Sequence, residues 1–336
     1  MSATPGPAII DVVGSALTDE DRARLRHRAT GGAILFARNY ENPQQLRELT
    51  AEIRALRPDL LLCVDHEGGR VQRFRAGFSA LPPMRRLGEM WNSDRAAACT
   101  ATRAAGLVIA VEIAAHGLDF SFAPVLDLDY GSSSVIGDRA FHAEPLAVGE
   151  LAVAFIGGLT DGGMAAVGKH FPGHGYAAAD SHVEVPRDER PLQQILARDV
   201  APYGPAIAAG LAAVMPAHVI YTQVDSAPAG YSRFWLQDIL RKRLGFTGMI
   251  FSDDLSMAGA GTAGSIPERA HAALAAGCDM VLLCNDAPGQ DRLLDALDGA
   301  RPVPPSRLAR LRARHPKDQR TDVAYLKAVQ ILSSLA

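Results

Sequence analysis

The sequence predicts a single-domain α/β protein folded as a (β/α)8 barrel. Eight short apolar runs are spaced along the 336 residues, each followed by a longer segment with helical periodicity. The runs are continuously apolar rather than alternating, as in parallel sheets that are covered on both faces. Polar residues gather directly after several runs, which is where such barrels carry their functional groups. Eight βα units in one compact chain favour a closed barrel over an open doubly wound sheet.

Predicted strands and helices alternate along almost the whole chain. The strand candidates are residues 8–13, 33–36, 60–65, 119–123, 165–169, 212–217, 249–253 and 279–284. The helix candidates include residues 42–56, 96–116, 145–161, 189–209, 232–244 and 267–276. We predict one catalytic domain over residues 1–336. Within it, residues 301–336 form a Pro- and Arg-rich wrapping segment and a final helix over 322–335.

The composition is that of a globular protein, with 48% hydrophobic and 21% charged residues. A net charge of −3 provides no basic surface for nucleic acid or anionic lipid. The first residues lack the features of a signal peptide, and no stretch is predicted to reach the length of a membrane span. The four cysteines have no CxxC spacing, which favours a reducing compartment. We therefore expect a cytoplasmic protein that binds neither nucleic acid nor membrane.

The most informative stretch is Lys169-His-Phe-Pro-Gly-His-Gly175, followed by Asp180-Ser-His182. It begins at a predicted strand end and continues into a loop that contains proline and glycine. Its three histidines lack the i, i+4 spacing of a helical zinc site, so direct contacts with a substrate are favoured over metal binding. Asp180 and His182 are close enough in sequence to form a carboxylate–imidazole pair. Such a pair suits a histidine that acts first as general acid and then as general base.

Two adjacent carboxylates, Asp253 and Asp254, follow the seventh predicted strand. Their side chains must point in different directions. We expect one to face the barrel mouth and the other to cap a helix or tie down a loop. A carboxylate held at a barrel mouth suits attack on the anomeric carbon of a sugar.

A third polar stretch follows the third predicted strand and includes Asp65 and Arg73. Asp and Arg at a barrel mouth suit sugar hydroxyls and their acetamido or carboxyl substituents. For Glu67 and Arg70 we predict instead a salt bridge within the loop. Arg139 lies in the loop after the fourth strand, and its spacing alone indicates a surface charge.

Taken together, these segments resemble the family 3 glycoside hydrolases, and more narrowly the single-domain bacterial β-N-acetylhexosaminidases within that family. KHFPGHG followed by DSH is specific to the N-acetylglucosaminidase branch, whereas SDDL alone is a much weaker signal. The motifs that carry the resemblance run in order over almost the whole chain. They are VDHEGGRVQRF from Val64, FAPVLD from Phe122, IGDRAF from Ile136, KHFPGHG with DSH from Lys169, MPAHVIY from Met215 and IFSDDLSM from Ile250.

The resemblance implies a role for each matching residue. Asp253 matches the nucleophile, His182 the acid/base, and Asp180 the partner that orients this histidine. His66 stands where close relatives often carry Gln, and we expect it to face away from the sugar. The resemblance implies neither a metal nor an organic cofactor. The residues implied to bind the non-reducing N-acetylglucosamine are Asp65, Arg73, Arg139, Lys169 and His170.

The implied reaction is a retaining release of terminal β-linked N-acetylglucosamine through a covalent glycosyl–Asp253 intermediate. The usual retaining design has two carboxylates about 5 Å apart, and here a histidine replaces the second one. The implied substrate is a small N-acetylglucosaminyl-anhydromuramyl sugar or peptide from peptidoglycan turnover, and we expect a monomer. The alternatives are a family 3 β-glucosidase or β-xylosidase, an N-acetylglucosaminide phosphorylase, a metal-dependent barrel hydrolase and a non-catalytic sugar-binding protein.

Overall fold

Eight parallel strands form a barrel at the centre of the molecule, as the sequence predicts. The computed structural model describes residues 5–177, 185–314 and 319–335. The barrel strands are β1 Ala8–Asp11, β2 Thr30–Leu35, β3 Leu61–Val64, β4 Phe120–Ser121, β5 Val167–Phe171, β6 Ala213–Pro216, β7 Met249–Asp254 and β8 Met280–Leu283. Their order in the sheet is β4-β3-β2-β1-β8-β7-β6-β5, and every neighbouring pair is parallel. Each predicted strand overlaps one of these eight, so the predicted barrel is confirmed.

The barrel closes between β4 and β5 through the residues that follow the very short β4. Val125 forms a single parallel bridge with Lys169. The Val167 N–H donates to the carbonyl of Ala123 at 2.8 Å, and the Leu126 N–H donates to the carbonyl of Lys169 at 2.6 Å. Pro124 has no N–H, so a regular ladder cannot run through this segment. These bonds fix residues 167–169 of β5 against residues 123–126.

Helices and short turns surround the barrel. The α-helices are α1 Asp19–Arg26, α2 Pro43–Leu56, α3 Met84–Ser93, α4 Arg95–Ala114, α5 Pro145–Asp161, α6 Leu192–Ala197, α7 Tyr203–Ala208, α8 Ile266–Ala276, α9 Ala287–Ala296, α10 Pro305–Leu311 and α11 Val323–Ser333. A π-helix covers Phe234–Arg243, and 3-10 turns cover Ala37–Asn39, Gly137–Arg139, Ala229–Tyr231, Ala258–Ala263 and Gln319–Thr321. Two small strand pairs lie outside the barrel: His66–Gly68 with Val71–Gln72, and Arg187–Asp188 with Ile220–Tyr221.

The interior of the barrel is packed with aromatic side chains. Phe120 on β4, Phe122 just after it and Phe251 on β7 are fully buried. Their ring centroids lie 5.2 to 5.7 Å apart. Because β4 and β7 are not neighbours in the sheet, these contacts cross the interior. The barrel centre is therefore a solid core, and any cavity must lie at one of its ends.

The predicted helix over residues 189–209 is divided into α6 and α7. Pro202 removes a backbone donor and disfavours the helical conformation of the residue before it. The buried Asp199 in the same break lies 2.9 Å from the guanidinium of Arg190, which precedes α6. The apolar periodicity was correct on both sides of the break, but it does not show where proline interrupts the helix.

The prediction that no stretch reaches the length of a membrane span is wrong for α4. This helix has 20 residues and is apolar enough to cross a membrane by length and composition. In the fold, however, 67% of its most apolar stretch is buried, and α4 packs against α5 and α11. Its apolar character is explained by this packing within the outer layer.

The segment that follows β8 packs back onto the barrel through α10. Val303, Leu308 and Leu311 are buried. Arg307 is paired with Asp279, and Arg312 Nη1 lies 3.6 Å from Asp119 Oδ2. Asp279 and Asp119 directly precede β8 and β4, so these contacts lie at the amino-terminal end of the barrel. The opposite end stays open.

We predict that Gly158→Ala lowers the free energy of unfolding by about 1–3 kcal/mol, measured by urea denaturation. At Gly158, α5 closely approaches α4, and a Cβ there would lie 2.0 Å from the carbonyl oxygen of Arg103. Gly204→Ala in α7 is the matched control, because nothing lies within 4 Å of its added Cβ. It should be neutral or stabilising by up to about 1 kcal/mol. Equal effects of the two changes would contradict the close packing of α4 on α5.

Candidate active site

A cavity of about 650 Å³ lies at the carboxyl ends of the barrel strands. Six strands contribute to its lining, through Ile34, Asp65, Lys169, Met215, Asp253 and Leu282 at or just after their ends. Every predicted site residue in the described part of the chain lines this cavity, namely Asp65, Arg73, Arg139, Lys169, His170 and Asp253. The predicted acid/base His182 and its partner Asp180 lie outside the described residues.

Lys169 is a buried cation held between two carboxylates. Its Nζ lies 2.6 Å from Asp65 Oδ1 and 2.6 Å from Glu67 Oε1. Burial disfavours the charged amine, but the two carboxylates outweigh it and raise the pKa of Lys169 above its ordinary value. The cavity wall therefore carries a fixed ammonium group that can only donate hydrogen bonds.

Glu67 connects Lys169 with Arg139. The Nε and Nη2 of Arg139 both donate to Glu67 at 2.8 Å, in the parallel two-bond geometry that guanidinium and carboxylate favour. Burial would raise the pKa of Glu67, but the charges of Arg139 and Lys169 hold it well below its usual range. The pKa of Arg139 is raised by Glu67 although the guanidinium is itself buried. Asp65, Glu67, Arg139 and Lys169 thus form one charge network.

Two predictions about this region are wrong. Glu67 does not pair with Arg70, whose Nε instead donates to Asp138 at 3.0 Å in an exposed pair. Glu67 is only 2% exposed and needs buried cations, which the surface-directed Arg70 cannot supply. Arg139 is not a surface charge either, because its side chain is 11% exposed and points at Glu67.

Asp65 and Arg73 keep polar atoms available to a ligand. Arg73 Nη2 lies 3.8 Å from Asp65 Oδ2, which is too long for a hydrogen bond. The Arg73 guanidinium also lies over the ring of Phe36, 5.7 Å from its centroid. A carboxylate oxygen and a guanidinium so placed are complementary to hydroxyl and amide groups of a sugar.

His66 lies behind the cavity wall, as expected. It is buried, and its ring packs against Phe74 and Phe78 with centroids 5.7 Å away. It is not among the residues that line the cavity.

Asp253 and Asp254 take different roles, as predicted. Asp254 ties down the following loop: it accepts from the N–H and hydroxyl of Ser256 at 2.9 and 2.7 Å and from the N–H of Cys284 at 3.0 Å. Asp253 Oδ1 accepts the N–H of Asp254 at 2.8 Å, the one hydrogen bond that the described residues give to this carboxylate. Asp253 therefore lines the cavity, and its second carboxylate oxygen accepts no hydrogen bond from the described residues.

The two carboxylates also differ in their ionisation. Burial opposes the charge of Asp253, but His170, His218, the N–H of Asp254 and Lys169 outweigh it and lower its pKa. Burial, together with the charge of Asp253, raises the pKa of Asp254 to about 6. His218 supports this arrangement, because its buried ring places Nε2 3.1 Å from the carbonyl oxygen of Asp254. Asp253 is thus the more acidic carboxyl, and its charged form is a competent nucleophile.

Asp127 is a buried polar residue of the site that sequence reasoning did not single out. It lies just after the closing segment of the barrel and contacts the backbone and ring of His170. The available signal was its position at the end of the FAPVLD motif, directly after a buried run. Within residues 5–177, 185–314 and 319–335, no cluster of three or more His, Cys, Asp or Glu side chains could hold a metal ion.

Comparisons with known proteins agree with this geometry. The chain matches the glycosyl hydrolase family 3 N terminal domain over residues 8–310. It is 57% identical to a beta-hexosaminidase of Methylobacillus flagellatus over 93% of this chain and 90% of that protein. It is 56% identical to a beta-hexosaminidase of Thiobacillus denitrificans over 99% of this chain and 93% of that protein.

Solved structures give the same result. Native NagZ from Neisseria gonorrhoeae superposes with a TM-score of 0.92 at 46% identity, covering 99% of this chain and 98% of that one. The same protein in complex with N-trifluoroacetyl-D-glucosamine superposes with a TM-score of 0.92 at 47% identity and the same coverage. The chain therefore belongs to glycosyl hydrolase family 3. Within that family it is a β-N-acetylhexosaminidase.

We predict that Glu67→Gln lowers the free energy of unfolding by about 3–5 kcal/mol at neutral pH, because two buried cations lose their shared anion. Urea denaturation measures this. Because the pKa of Glu67 is lowered in the fold, its stabilisation is present above the unfolded pKa of about 4.3. It is lost as the pH falls through the lower folded pKa, so the difference between wild type and variant should shrink in acid.

The matched control is Asp138→Asn, which makes the same carboxyl-to-amide change in the exposed pair with Arg70. We expect it to change the free energy of unfolding by less than about 1 kcal/mol. A Glu67→Gln variant as stable as this control would show that the network contributes little.

Proposed function

We propose that this enzyme releases terminal N-acetylglucosamine from small peptidoglycan fragments by a retaining mechanism, with Asp253 as nucleophile. The observation that carries the proposal is the position of Asp253. Its ionised carboxylate faces a cavity whose other walls carry the fixed ammonium of Lys169 and the guanidinium groups of Arg73 and Arg139. The similarity to beta-hexosaminidases supports N-acetylglucosamine as the sugar that is released. The family resemblance of the sequence motifs supports a leaving group derived from peptidoglycan.

In the first step, a carboxylate oxygen of Asp253 attacks the anomeric carbon. The bond from this carbon to the leaving oxygen breaks while protonated His182 donates its proton to that oxygen. In the second step, neutral His182 takes a proton from water, and the water oxygen attacks the anomeric carbon. The Asp253 ester bond breaks, which releases the β-sugar and restores both side chains. Asp180 is proposed to orient His182.

The other carboxylates that line the cavity already form ion pairs or hydrogen bonds within the protein. This supports a histidine, rather than a second carboxylate, as the acid/base. Asp65 is bonded to Lys169, and Glu67 is shared by Arg139 and Lys169. Asp254 is the strongest competitor among the described residues, because its pKa of about 6 suits a general acid. However, its three hydrogen bonds to Ser256 and Cys284 hold it in a structural role.

The test is hydrolysis of aryl β-N-acetylglucosaminides by wild type, Asp253→Ala and His182→Ala. We expect Asp253→Ala to lower kcat/KM by about 10⁴-fold or more, because the attacking group is removed. His182→Ala should lose about 10²–10⁴-fold with a poor leaving group. It should lose much less with a nitrophenyl leaving group, which needs no protonation.

His271→Ala is the matched control for His182→Ala, because His271 is exposed on α8, and it should keep wild-type rates. Wild type should cleave the β-N-acetylglucosaminide faster than the matching β-glucoside. Its rate should not depend on phosphate, since water is the proposed acceptor. Wild-type rates in Asp253→Ala would overturn the mechanism, and a sugar 1-phosphate product would show a phosphorylase. An Asp254→Asn variant whose loss depended on the leaving group would identify Asp254 as the acid.

A further inference from the structure

Asp127 holds a set of donors that all come from the end of β5 and the turn after it. Its Oδ2 lies 2.7 Å from Nδ1 of His170, and its Oδ1 accepts the N–H of His174 at 2.7 Å. Both oxygens lie 3.3 Å from the N–H of His170. Burial would raise the pKa of Asp127, but His170 and the N–H of His174 outweigh it and lower the pKa.

The position of Asp127 is fixed by the closure of the barrel. The preceding residue, Leu126, donates its N–H to the carbonyl of Lys169, which directly precedes His170. The backbones of Asp127 and His170 are therefore held next to each other, within reach of the carboxylate–imidazole contact.

This contact determines which nitrogen of His170 carries the proton. An ionised carboxylate can only accept hydrogen bonds, so Nδ1 of His170 must be the donor. In a neutral ring the proton then lies on Nδ1, and Nε2 keeps its lone pair. His170 lines the cavity, and the described residues offer no hydrogen-bond partner to its Nε2.

A hydrogen-bond acceptor at this point complements the rest of the wall. Lys169 and Arg139 can only donate, so a sugar hydroxyl that accepts from either still has its own proton to give. The lone pair of His170 Nε2 can accept that proton. The Asp65 carboxylate, already hydrogen-bonded to Lys169, is another acceptor in the cavity wall.

We propose that Asp127 is a positioning residue that fixes the tautomer of His170, so that the ring presents an unprotonated Nε2 to a hydroxyl of the bound sugar. This inference rests on the proposed function, because it takes a sugar as the ligand. Asp127 itself does not contact the ligand. It acts through His170, much as carboxylates that accept a hydrogen bond from a metal-binding histidine orient that ring.

The first measurement is the 15N NMR spectrum of the histidine rings in the whole chain at neutral pH, with His170 assigned by comparison with His170→Phe. In wild type, the His170 signals should show a protonated Nδ1 and an unprotonated Nε2. In Asp127→Asn, the amide N–H₂ faces Nδ1, so the proton should move to Nε2. A protonated Nε2 in wild-type His170, whether or not Nδ1 is also protonated, overturns the proposal even if Asp127→Asn does not fold.

The second measurement is kcat/KM for an aryl β-N-acetylglucosaminide. Asp127→Asn should lower it about 10- to 100-fold. In a His170→Phe background, the same change should lower it by less than about 3-fold further, because the group through which Asp127 acts is gone. An equal loss in both backgrounds would show a general structural role and overturn the proposal.

Asp119→Asn is the matched control. Asp119 is also a buried carboxylate that accepts a backbone N–H, from Leu62 at 2.8 Å, and an arginine donor, Arg54, at 2.6 Å. It lies at the other end of the barrel, so kcat/KM should stay at the wild-type value. If wild type itself fails to cleave the substrate, the proposed function is wrong. The NMR spectrum still determines the tautomer of His170 in that case.

Discussion

The charge network of Asp65, Glu67, Arg139 and Lys169 is the interaction on which the rest of the site depends. Taking four charges out of water is costly, and only nearly ideal pairing offsets that cost. The bidentate Arg139–Glu67 contact and the two 2.6 Å contacts of Lys169 supply this pairing. Because each charge is held by another, the cations cannot turn away from the cavity or lose their protons. The enzyme therefore presents a rigid set of donors opposite Asp253.

This network exists only in the closed barrel. Asp65 and Glu67 follow β3, Lys169 lies on β5, and Arg139 belongs to the loop after β4. The closing bonds between residues 123–126 and β5 bring these elements together, and they also place Asp127 against His170. The same hydrogen bonds thus close the barrel and bring the site residues together. Asp253, from β7, lines the same cavity.

The fold and much of the site could be predicted from the sequence, because their signals are local. Continuous apolar runs predicted the strands. Position at the end of a strand indicated Asp65, Lys169 and Asp253 as candidate site residues. Glu67 was assigned the wrong partner and Asp127 was missed, because their partners are distant, 72 and 43 residues away, and no local pattern encodes such pairs. The predicted helix over 189–209 failed at Pro202 because apolar periodicity continues through a break in the backbone. Arg139 could be assigned to the site only through the family resemblance, because by spacing alone a loop arginine indicates a surface charge.

In the proposed reaction, Asp253 forms a covalent bond to the sugar, so that the anomeric configuration is inverted twice. The most direct measurement is the 1H NMR spectrum of the first product formed from an aryl β-N-acetylglucosaminide, recorded before mutarotation. We expect β-N-acetylglucosamine as the first product, because double displacement retains configuration. Initial formation of the α-anomer would show direct attack by water and would contradict a nucleophilic role for Asp253.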